Sequence, residues 1–145
     1  MKRLLVIVAL VALFASTSFA GVQDFGMFTV DVPSGWTASM NGPTAIFTKN
    51  DNTASLSITV ADTEGYSLAD LANGFAEEFK KSFPQVGTPE KDSDGDYSFS
   101  MVNGNGVESN VLLTGNEGKY CLFAITGAEN APEDLNAMIS SVKTK

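Results

Sequence analysis

The sequence predicts an α+β fold: an antiparallel sheet of about six or seven strands covered by two main helices. Three observations carry this. Segments with period-2 alternation come in two runs, four and then three. Each run is followed by a segment whose apolar residues recur at spacings of three and four. The joins within the runs are short and rich in Gly, Asn and Pro. Strands in runs broken by helices, rather than alternating with them one by one, indicate antiparallel pairing.

The first segment stands apart. Residues 1–20, "MKRLLVIVALVALFASTSFA", open with Lys2 and Arg3 and continue with an unbroken apolar run from Leu4 to Phe14. Ser18 and Ala20 put small side chains where a signal peptidase needs them, so cleavage is expected between Ala20 and Gly21. The apolar run is shorter than the roughly 20 residues that span a bilayer, and no later stretch reaches that length. No Cys stands at the cleavage point, where the next residue is Gly21, which closes the lipid-anchored route. The expectation is a removed signal peptide, 1–20, and a single domain, 21–145, that is periplasmic or secreted and not inserted in the membrane.

In "MFTVDVPSGW", Phe28, Val30 and Val32 alternate with Thr29 and Asp31, and Pro33-Ser34-Gly35 turns the chain before Trp36 begins the next strand. "NGP" at Asn41–Pro43 turns it again before "TAIFTK". "NDNT" then leads into "ASLSITVAD", where Leu56, Ile58 and Val60 alternate with Ser55, Ser57 and Thr59. These four strands read as an antiparallel meander.

In "YSLADLANGFAEEFKKSFP" the period becomes helical. Leu68, Leu71, Ala72, Phe75 and Phe79 share a face, Ser67 is the N-cap and Asp70 takes the capping-box position. Tyr66 and Leu71 are placed as a hydrophobic staple. Lys80 and Lys81 suit the negative end of the helix dipole, and Pro84 stops the helix. Gly74 inside this helix costs about 1 kcal/mol relative to Ala, which implies close packing on the sheet.

A loop through "PQVGTPEKDSDG" precedes three more strands, "DYSFSMV", "VESNVLLT" and "KYCLFAIT", separated by "NGNG" and "GNEG". Asn and Gly accept positive φ, so both separators are hairpin chemistry. The last strand is apolar on both faces and should be central, with cover on both sides. In "NAPEDLNAMISSVKTK", Asn130 is the expected cap with Glu133 completing the box, and Leu135, Met138, Ile139 and Val142 form the apolar stripe.

This order, with "DVPSGW" after the first strand and "MISSVK" in the closing helix, resembles the PsbP-like superfamily, including its DcrB-like bacterial envelope proteins. The resemblance implies an α/β/α sandwich around an antiparallel sheet. It also implies a non-catalytic accessory role in the cell envelope. The metal role of the photosystem branch depends in part on histidine, which this chain lacks.

Composition excludes several chemistries. There is no histidine, which removes Ser-His-Asp and Cys-His machinery and the usual nitrogen ligand of transition metals. The net charge is −8. Loss of residues 1–20 removes two of the nine basic residues and none of the seventeen acidic ones, giving −10. Such a chain repels nucleic acid and anionic lipid. Cys121, the only cysteine, cannot form an intrachain disulfide and reads as a small buried hydrophobe.

Two places are candidate sites. "EKDSDGDYSF" alternates acidic and small residues, and Asp92, Asp94 and Asp96 fit the first three ligand positions of an EF-hand loop. Position 6 of that loop would be Tyr97 rather than Gly, and position 12 would be Asn103 rather than Glu, so a solvated turn is the expectation. Trp36 is the second, either a partner contact beside a Gly-rich turn or a core anchor. No cofactor is expected. Three readings follow: an envelope accessory or binding protein with an unidentified protein partner, a weak metal or small-ligand carrier, and a carboxylate hydrolase. The last needs two carboxyls roughly 5 to 9.5 Å apart in a cleft.

Overall fold

The computed structural model describes residues 20–145, so the expected signal peptide lies, but for Ala20, outside the described residues. The strands are β1 (Gly21–Asp24), β2 (Phe28–Val32), β3 (Trp36–Asn41), β4 (Thr44–Lys49), β5 (Ser55–Asp62), β6 (Gln85–Val86), β7 (Glu90–Lys91), β8 (Tyr97–Val102), β9 (Glu108–Asn116), β10 (Lys119–Thr126) and β11 (Lys143–Thr144). Helix α1 is Leu68–Phe79, helix α2 is Pro132–Ser141, and a 3₁₀ turn covers Ala128–Asn130. An eight-stranded sheet has the order β3-β4-β5-β10-β9-β8-β6 with β7 also paired on β8, and a three-stranded sheet has the order β1-β2-β11. The fold is α+β with a large antiparallel sheet and two helices, as the sequence predicts. By its contacts the chain forms two compact units, one running to Ser57 and resuming at Gly127–Lys145, the other Ile58–Thr126.

In the first unit, β2 does not join the meander expected of it. It pairs with β1 (Gly21↔Val32) on one edge and with β11 (Lys143↔Thr29) on the other. Both ladders of β2 are therefore occupied, and Pro33, which has no N–H to donate, ends the strand. β3 and β4 form the expected hairpin, Asn41↔Thr44, around Gly42-Pro43. Gly42 has φ +61° and proline fixes φ near −65°, which together make a type II′ turn. The interior is apolar: Phe28, Val30, Val32, Phe47 and Leu56 are buried, as are Leu135 and Met138 of α2. The Phe25 ring stacks on Phe28 at 5.5 Å and meets Phe47 edge-on at 5.2 Å.

Helix α2 starts differently from expectation. Asn130 is not its cap. Ala131 occupies that position with no side-chain hydrogen bond, Pro132 is the first helical residue, and the Asn130 amide donates to the Thr53 carbonyl at 2.9 Å. A proline at N1 needs no partner for its missing N–H, and Glu133 and Asp134 favour the positive end of the helix.

In the second unit, α1 lies on β8 and β9. Ala72 and Ala76 pack with Phe99, Met101, Val111, Leu113 and Leu122, and Leu68, Phe75 and Phe79 close the rim. The Ser67 hydroxyl accepts from the Asp70 N–H at 3.1 Å, as expected of the cap. Gly74 overturns its expectation: a β-carbon built there meets nothing within 4 Å. The close approach falls instead at Gly115 on β9, where a β-carbon would sit 3.0 Å from Leu68 Cδ1. Strand β10 is buried on both faces at Cys121, Leu122 and Phe123 and lies fourth in the seven-strand path. Its hairpin with β9 turns on Glu117 (φ +49°) and Gly118 (φ +80°), a two-residue type I′ loop. The expected loop before β8 contains β6 and β7, each two residues long.

Candidate functional site

The acidic stretch is a five-residue hairpin loop, Asp92–Asp96, between β7 and β8. The Asp92 Oδ1 accepts from the N–H groups of Asp94 (2.9 Å) and Asp96 (3.0 Å). The Asp92 N–H donates to the Asp96 carbonyl, and Gly95, at φ +88°, donates to the Asp92 carbonyl. One carboxylate oxygen is thus committed to holding the backbone turned. Asp96 is half-buried, and its carboxyl is pushed above the usual range by that burial, then by the charges of Asp92 and Asp94. Crowded carboxylates that repel one another are what a cation would relieve. Even so, the described residues contain no arrangement of three or more acidic or Cys groups able to hold a metal ion.

The next loop repeats the geometry without the charge. Asn103–Val107 joins β8 to β9, and Asn103 Oδ1 accepts from the N–H groups of Asn105 (2.8 Å) and Val107 (3.0 Å). The Asn103 N–H donates to the Val107 carbonyl and the Gly106 N–H to the Asn103 carbonyl, with Gly106 at φ +81°. A neutral amide therefore performs the job of Asp92. The acidity of the first loop is not required by its fold.

Trp36 is an interior residue at 2% exposure, not a surface anchor. Its indole N–H donates to Asp134 Oδ2 at 2.9 Å, tying the start of β3 to α2. An indole placed so has a satisfied polar edge and no free face to offer a partner.

Cys121 is buried and faces Thr114 across the β9–β10 ladder. Burial pushes its thiol pKa up, with a smaller opposing effect from a Thr114 hydrogen bond. That disfavours the thiolate, the reactive form.

Two surface hollows lie in the second unit. One, about 350 Å³, sits on the outer side of α1 and is lined by Tyr66, Asp70, Leu71, Gly74, Phe75 and Glu78. Tyr66 is 61% exposed. The other, about 490 Å³, lies beside β6, with Lys80, Gln85, Gly87 and Ser100 among its walls. The acidic groups with displaced pKa values are elsewhere. Asp24 is lowered by its hydrogen bond to Lys145 and by the Gly26 N–H, and Asp51 by the hydroxyl and N–H of Thr53. Sequence reasoning missed the α1 hollow because Leu71 and Phe75 fall on the helical apolar face. Gly74 is the signal for it in the sequence, a helical glycine that no close contact requires.

With this geometry the protein is similar to the solution structure of a cyanobacterial PsbP, CyanoP, from Synechocystis sp. PCC 6803. The TM-score is 0.52 at 15% identity, over 88% of this chain and 94% of that one. The chain has a PsbP-like fold. A crystal structure from Bacteroides thetaiotaomicron VPI-5482 matches at TM-score 0.49 and 14% identity, over 88% of this chain and 49% of that chain, so this chain spans about half its length. Neither a family model nor a curated protein matches the sequence.

Proposed function

We propose that the protein is a non-catalytic accessory or binding protein of the cell envelope, exported by its N-terminal segment and acting in the periplasm or outside the cell. The observation that supports this most is where the polar chemistry lies. Among the described residues no polar or charged residue is buried, and the engaged carboxylates serve turns, lysines at the surface or, at Asp134, the Trp36 indole. Active sites concentrate polar groups in a concavity that excludes water. The α1 hollow offers an apolar surface with an exposed tyrosine instead, a composition suited to binding a protein. The net charge argues against nucleic acid as the partner.

A second reading, a weak calcium site at Asp92–Asp96, has the raised Asp96 carboxyl in its favour. The first is tested by affinity isolation of the tagged protein from a native envelope fraction after mild cross-linking. A reproducible partner lost on altering an exposed surface supports the accessory role. Retention of the protein in the cytoplasm, or a hydrolytic activity abolished by replacing one carboxylate, refutes it.

A further inference from the structure

We propose that the hollow on the outer side of α1 docks a segment of a partner protein that presents a basic side chain next to an apolar one. This deepens the accessory reading above and rests on it.

Gly74 is the first reason. It lies in mid-helix, where glycine is the poorest residue after proline. The two internal uses of a glycine are a left-handed backbone and a close approach, and Gly74 has neither: its φ lies outside the left-handed range, and a β-carbon would meet nothing within 4 Å. The space it leaves is open only to something outside the chain. A local rule broken with no internal gain marks a functional place.

The walls are the second reason. Tyr66 is 61% exposed, and Leu71 and Phe75 are half-buried beside it. Phe75 is held from below by the Tyr120 ring at 5.4 Å, so this part of the wall is fixed before anything binds. Exposed tyrosine on a rigid apolar floor is the composition of an interface hot spot.

Charge is the third, and it chooses the occupant. Asp70 and Glu78 lie four residues before and after Gly74, so each is about 6 Å from it along the helix axis. A Lys or Arg stem crossing Gly74 would have a carboxylate on either side of its head and an aromatic surface beneath its methylenes. An acidic or wholly apolar segment would instead desolvate both carboxylates and supply no cation to either. Glu78 is presently paired with Lys81 at 3.0 Å, both side chains being largely exposed. Exposed pairs of this kind exchange partners at little cost.

The test uses the full-length protein, purified from an exporting host, and two fluorescent synthetic helical peptides, one of Leu and Arg and one with Glu replacing every Arg. The Leu/Arg peptide is expected to bind saturably. Gly74→Leu fills the hollow with a strong helix former, and it should weaken binding by at least about tenfold while the melting temperature holds or rises. Asp70→Asn should weaken it severalfold. Glu90→Gln, which removes a charge on β7, should not. Unchanged binding by Gly74→Leu, equal losses for Asp70→Asn and Glu90→Gln, or equal binding of the Leu/Glu peptide would each overturn the proposal. So would a dimer of the parent protein, seen by sedimentation, that Gly74→Leu abolishes, since a second copy would then cover the hollow. The accessory reading fails separately: Gly74→Leu that still retains the envelope partner refutes the hollow alone, whereas a parent protein that retains none refutes the reading beneath it.

Discussion

Replacing Asp92 separates a turn from a metal site. In Asp92→Asn the acceptor oxygen stays where Asp94 and Asp96 donate to it, and Asn103 shows that an amide closes the same loop. The substitution also removes one of the two charges that raise the Asp96 carboxyl. A raised carboxyl binds its proton more tightly in the folded state, so it favours folding at acid pH. That contribution is lost as pH rises through the folded pKa, and the charged Asp96 is a liability at neutrality. Asp92→Asn should therefore be within about 0.5 kcal/mol of the parent at neutral pH, and on the stable side. Asp92→Ala deletes an acceptor used by two N–H groups, each worth about 0.5–1.5 kcal/mol, and should lose about 1–3 kcal/mol. Urea unfolding with unchanged m-values reads both. Calcium supplies the second arm. A site with a Kd of about 1 mM would stabilise the parent by about 1.4 kcal/mol at roughly 10 mM ion, a rise of several degrees in melting temperature. The turn account expects no such rise. A calcium-dependent rise that Asp92→Asn removes, or an Asp92→Asn as damaged as Asp92→Ala, would refute it.

Gly127, at φ +71°, is the tightest glycine in the chain: a β-carbon there would sit 2.1 Å from the Thr53 carbonyl oxygen. Gly127→Ala combines a left-handed penalty of about 1–2 kcal/mol with displacement of the loop that Asn130 grips, and should cost about 3 kcal/mol or more by urea unfolding. A loss below about 1 kcal/mol would show that the loop yields freely. At alkaline pH, burial holds the Cys121 thiol above its ordinary 9.0 and the Tyr120 phenol above 10.0, with Glu64 adding to the latter. Both neutral forms are favoured by folding. Their contribution is intact below those ordinary values and disappears as pH climbs through the folded ones, so stability should fall from about pH 9 upward. Cys121→Ala should flatten the lower part of that fall, and an unchanged profile would assign it to other groups.

The elements legible in the sequence were those whose own side chains specify them. Strand β10 spans the residues its apolar run indicates, and α1 begins at the cap its Ser67 supplies. What could not be read was pairing. The alternation of Phe28, Val30 and Val32 identifies a buried face, but nothing in it says that β11, more than a hundred residues later, takes the edge expected for β3. β6 and β7 are two residues each, too short for any period. The cap of α2 falls one residue later than the sequence suggests, at Ala131. The Asn130 Nδ2 donates to the distant Thr53 carbonyl, and Pro132 has no N–H to offer a cap at Asn130. Gly74 and Gly115 exchange roles: the sequence points to the glycine in the helix as the close contact, whereas the close contact is at Gly115 on strand β9, against Leu68 of α1.

The acidity of the loop is a poor argument for a site, for a reason that reaches beyond this chain. Asp92 and Asn103 begin loops of equal length, each with a glycine three residues on, and each accepts at its Oδ1 from the second and fourth following N–H groups. The shared requirement is a short side chain with an oxygen three bonds from its Cα, together with a residue free to take positive φ. Charge is not part of that requirement, so the acidity of "DSDGD" is left over once the turn is explained. On a chain of net charge −8 such a surplus needs no further cause. Gly74 presents the opposite case: its neighbours explain nothing about it, and its backbone and surroundings match neither internal use of a glycine. A feature that the fold already requires carries little information about a ligand. One that the fold would be better without carries more, and α1 is therefore a sounder place to look for a partner than the most acidic stretch of the sequence.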